Sequence, residues 1–89
     1  MDTKARLIQT AKELKRAADQ EKVNMSNVQK QLDQVKTGVR ISHDHGINVG
    51  GTEDQMHMLE RQVKDMQKGI ENLERQSNDM NRQAQSIRQ

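Results

Sequence analysis

Three groups of residues have types and spacings that could do chemistry. The first is His43-Asp44-His45. Alternate residues of an extended segment project to one side, so His43 and His45 could share a borderline metal with Asp44 behind them. Two imidazoles per chain make a weak site, and the expectation is a solvated turn, with no metal and no cofactor. The second is Glu21, the one charged residue among otherwise apolar and small inward positions. Buried without a partner, a carboxylate is expensive or protonated, so Glu21 is expected to reach outward or to meet a lysine of a neighbouring chain. The third is Arg61, Lys68, Arg75 and Arg82, recurring every seven residues along one helical line. Such a line could dock an anionic polymer or a phospholipid surface. Asp65, Asp79 and Glu71 stand four residues from Arg61 or Arg75, and these spacings predict helical ion pairs that neutralise much of it.

Other chemistries find little support. No nucleophile stands beside a base, and no phosphate-binding glycine loop precedes an apolar strand. Gly50-Gly51 could present a helix N-terminus to an anion, but Glu53 and Asp54 would repel it. Without cysteine there is no disulfide, thiol catalysis or thiolate site. The chain is expected not to be an enzyme. Net charge is only +2, with nine Lys/Arg against six Asp/Glu through Gly46 and six against seven after it. That balance, with no aromatic side chain for base stacking, argues against a nucleic-acid partner. No stretch approaches the roughly 18 apolar residues of a membrane span, and the first residues lack the apolar core of a signal peptide. A soluble, cytoplasmic protein is therefore expected.

The elements that position these residues follow from hydropathy. Only 30% of residues are apolar, too few for a multilayered core, and they fall in stripes. Leu7, Ala11, Leu14, Ala18, Glu21, Met25, Val28, Leu32, Val35 and Val39 form one unbroken 3-4 run. Met56, Leu59, Val63, Met66, Ile70, Leu73, Ser77, Met80, Ala84 and Ile87 form another. This is the coiled-coil pattern. Three segments are expected: helix 1 within residues 1–38, stopping at Gly38; a glycine-bounded loop or miniature β-hairpin over 39–51; and helix 2 over 52–89, with Thr52-Glu53-Asp54-Gln55 as a capping box. Pairing residues whose numbers sum to 91 sets a small residue against a large one wherever a small one occurs, as in Leu7/Ala84, Leu14/Ser77 and Ala18/Leu73. The fold class is therefore all-α, an antiparallel coiled-coil hairpin about 50 Å long.

The stripe flanks differ. Lys15, Lys22 and Lys36 occupy e positions of the first run, and Glu60 and Glu74 those of the second, so the e edges attract. The g edges, Thr10, Ala17, Asn24, Gln31 and Gly38 with Gln55, Gln62, Gly69, Gln76 and Gln83, carry no charge. An uncharged edge is cheap to dehydrate, and two helices alone make a thin core, so the g edge is expected to meet a second hairpin in a four-helix or larger bundle. Ile41, Ile47 and Val49 in the loop are expected to pack against other loops or a partner.

Ser42 to Gly46 resembles the His-containing metal-binding turns of trimeric phage tail fibres and needles, which implies loops gathered on a symmetry axis. Paired heptad helices are similar in outline to SNARE bundle proteins and to prefoldin-like hairpins, but the middle layer offers Glu21 and Ile70, not the central Gln or Arg of SNAREs. No family is assigned on these grounds. The leading expectation is a non-enzymatic oligomerisation or scaffold module that contacts itself and another protein. A phage-like assembly part and an anionic-polymer binder are the alternatives.

Overall fold

A computed structural model describes residues 2–46 and 50–87. Two helices, α1 (Thr3–Asp44) and α2 (Gly50–Gln85), pack against each other as a hairpin 69 × 15 × 14 Å. Asp2 caps α1, its extended backbone letting the carboxylate accept from the Ala5 N–H at 2.7 Å.

The helix boundaries differ from those expected. α1 does not stop at Gly38 but continues for another turn and a half, so residues 39–44 are helical and not part of a loop or β-hairpin. Magnitudes explain this. A glycine inside a helix costs about 1 kcal/mol, whereas covering the side chain of Val39 returns roughly 1.5 kcal/mol or more. Val39 continues the 3-4 run and is buried. The helix stops instead at Gly46, whose φ of +69° is open to glycine and strained for other residues. Its N–H donates to the His43 carbonyl at 3.0 Å, while the His45 N–H reaches the Ile41 and Ser42 carbonyls. The longer α1 also makes the hairpin longer than the expected 50 Å.

α2 starts two residues before Thr52, so Thr52 lies inside the helix and is not its cap. Ile47 and Val49, expected to form a loop cluster, lie outside the described residues.

Among the described residues every buried one falls on one heptad letter. Ala11, Ala18, Leu32, Val39, Ile70, Ser77 and Ala84 are all at a. The d residues of the same seam, from Leu7 to Val35 and from Leu59 to Ile87, are only half-buried, as are Met25, Met56 and Val63 of the a rows. The helices therefore meet a row to a row, with the d rows displaced to one side. Small residues permit this approach. The Ser77 hydroxyl, one bond beyond Cβ, donates across the gap to the Ala11 backbone carbonyl at 2.8 Å. A helical carbonyl points toward the residue four places on, so this bond lies between the levels of Ala11 and Leu14. The cross-helix contacts Ser77–Ala11, Lys15–Glu74, Lys22–Glu74 and His43–Glu53 have partner numbers that sum from 88 to 96, on either side of 91.

Candidate functional site

On a helical wheel a is flanked by e, and d by g and then c, so an antiparallel pair carries both e edges on one long side and both g edges on the other. On the e side Glu74 sits between two lysines, 3.6 Å from Lys15 and 3.3 Å from Lys22, and Asp19 lies 3.9 Å from each of the same ammonium groups. These groups are a third to more than half exposed, so each pair contributes a few tenths of a kcal/mol up to about 1. Lys36 and Glu60, also expected to attract, form no ion pair among the described residues. His43 closes the loop end of this side by pairing with Glu53 of α2.

The g side is unlike it. Leu14, Val28, Val35, Leu59, Met66 and Leu73 show half-covered apolar surface there, beside uncharged g residues. Ile41 and Met58, both at c, extend this surface outward and are 50% and 69% exposed. A groove of about 750 Å³ runs along α2 on this side, floored by Met66, Gly69 and Leu73 and edged by Glu21, Met58 and Gln62, with Arg61 and Asp65 on its outer rim. A Cβ built on Gly69 would meet nothing within 4 Å, and the same holds for Gly38. Both interior glycines are g residues, so neither is required by packing within the chain.

Glu21 is half-exposed and opens into this groove instead of sitting against Ile70, which is itself buried. Displacement of the d row provides that exit. His43 and His45 do not lie on an extended segment: one is in the last turn of α1 and the other caps it, and His43 faces Glu53. The geometry that would let their imidazoles converge is absent. Among the described residues no three His, Cys, Asp or Glu side chains come together as a metal would require.

Arg61, Lys68, Arg75 and Arg82 are exposed along α2. The expected ion pairs of Arg61 with Asp65, and of Arg75 with Asp79 and Glu71, do not close to within 4 Å, so the stripe is less neutralised than the spacing implied. Pairs worth a few tenths of a kcal/mol do not hold long exposed side chains in one geometry. Sequence reasoning missed the Ser77–Ala11 bond, although a serine at a was the signal available for it. It also missed the separation of the a and d rows. No helix of the described residues is long and apolar enough to cross a membrane. No family model, curated protein or solved structure matches the chain.

Proposed function

We infer that this chain is a non-enzymatic interaction module, a helical hairpin that oligomerises and serves a structural or scaffolding role. The observation that carries the reading is the open g side, where half-covered d residues adjoin an edge without charge. Among the described residues the buried core is one file of seven, four of them Ala or Ser, with Leu32, Val39 and Ile70 its larger members. A core of that size supports little stability alone, and a second hairpin over the d rows supplies what is missing. Light scattering from micromolar to millimolar protein tests this: a mass of at least two chains is expected, and a 10.3 kDa particle throughout would end the reading.

A second reading has one observation of its own, the exposed line Arg61, Lys68, Arg75 and Arg82, which forms no ion pair among the described residues. Docking of an anionic polymer there would weaken steeply as salt rises, with a slope that falls when any one of these residues is replaced by glutamine. Equal retention on heparin at low and moderate salt would remove it.

A further inference from the structure

The g row of α2 reads Gln55, Gln62, Gly69, Gln76, Gln83. It is the same in both directions about Gly69. Such a row is self-complementary about a two-fold axis at Gly69, because Gln62 and Gln76 exchange places across the axis and so do Gln55 and Gln83. Glutamine suits it further, since one amide carries both donor and acceptor and so complements a second amide without charge. The neighbouring d residues are complementary under the same overlap, which sets Leu59 against Met80 and Met66 against Leu73 of the second copy.

We propose that two copies of this chain pair through their g sides, α2 running antiparallel to its counterpart, with the two-fold axis at Gly69. This rests on the self-association reading and specifies its geometry. Gly69 lowers helix stability relative to alanine and fills no steric need within the chain, since a Cβ there meets nothing within 4 Å. At the axis it lets the two backbones approach most closely. Gln62 of each copy then meets Gln76 of the other, and Gln55 meets Gln83. Met66 and Leu73 cover one another over the groove, and Met58 is drawn in from its exposed position. The hairpin is 69 Å long and 15 Å wide. One side therefore offers on the order of 1,000 Å², against the roughly 800 Å² per partner of a stable complex. α1 contributes its own charge-free g row in the same plane, which makes the assembly a four-helix bundle. Glu21 lines the same groove and is a polar interruption in the d row that the second copy covers.

The chain has no cysteine, so single cysteines report without background. Gly69→Cys, Gln62→Cys, Gln76→Cys and, as a control at the same height on the outer line, Lys68→Cys would be treated with a bis-maleimide. Its reach would be about 8–10 Å, the spacing of packed helices. Gly69→Cys should cross-link to itself and Lys68→Cys should not. Gln62→Cys and Gln76→Cys should each fail alone, their like positions lying about 20 Å apart across the axis, and should cross-link at least tenfold faster when mixed. The mixed pair stands as evidence even if a side chain at the axis disturbs the Gly69 variant. Dimers by light scattering with no preference for the mixed pair would overturn the two-fold geometry and leave self-association standing. A monomer at all concentrations would overturn both.

Discussion

The two long sides of this hairpin are built from the same two helices and the same heptads, yet one is completed within the chain and the other is not. On the e side, Lys15 and Lys22 close on Glu74, and His43 closes on Glu53. On the g side, half-covered leucines, valines and methionines lie beside glutamine and glycine. Charges that find opposite charges on the same chain need no second molecule. Apolar residues covered on one flank only gain by acquiring one. The side whose g rows carry no charge is thus the informative one, although the side with the ion pairs attracts attention first.

The largest test of this contrast compares two neighbours on α2. Ile70→Ala removes the largest fully buried side chain and should cost about 2–4 kcal/mol at any protein concentration. Leu73→Ala, three residues on and half-covered, should cost less in dilute solution and approach the Ile70 value as concentration rises and the g side is covered. Urea unfolding at two concentrations a hundredfold apart reads the difference. A Leu73 cost that ignores concentration would mean that the g side stays open.

A smaller effect is expected at Glu21. Because the carboxylate opens into the groove, Glu21→Leu extends the apolar d row and should stabilise the assembly by about 1 kcal/mol, seen as a rise of several degrees in Tm at high concentration. The fixed register should loosen, since a polar group that disfavours other packings has gone. A fall in Tm would show that Glu21 makes a contact across the interface.

The smallest effect belongs to the e side. Glu74→Gln should cost about 0.5–1 kcal/mol in low salt, shared between two exposed lysine pairs, and almost nothing in 1 M salt. Chain mass should not change. Dissociation on this substitution would place the interface on the e side and reverse the contrast.

Much of the fold could be read from residue spacing, for reasons visible in particular residues. The run from Leu7 to Val39 has no break and pairs with the second run in a chain that doubles back, but the expected matching of each small residue to a large d residue gives way to an a row meeting an a row, with Ser77 bonded to Ala11. The run also held the answer to where α1 ends, since Val39 continues it, but Gly38 and the alternation of Val39 with Ile41 suggested a loop with strand character. A glycine punctuates a helix strongly only where the next seam residue gains nothing by staying helical, and here it gains burial. Attraction across the e edge was legible as opposite signs. Which lysine would reach which glutamate was not, because levels along the seam set those distances, and Lys36 and Glu60 do not pair. The division of the seam into a buried a row and a half-open d row was hidden as well. Heptad letters treat a and d alike, and only the close approach at Ala18 and at the Ser77–Ala11 bond shifts the contact line toward a.

That single file of buried residues has a direction. Its large members, Leu32, Val39 and Ile70, lie in the middle and toward Gly46, while beyond the Ala18 level the chain ends are held by Ala11, Ser77 and Ala84. Apolar area per layer therefore dwindles toward the open end, and local opening should begin there at free energies well below that of global unfolding. Amide hydrogen exchange along α1 should form a slope, slowest from about Met25 to Val39 and quickening turn by turn toward Thr3, with α2 mirroring it from Ile70 toward Gln85.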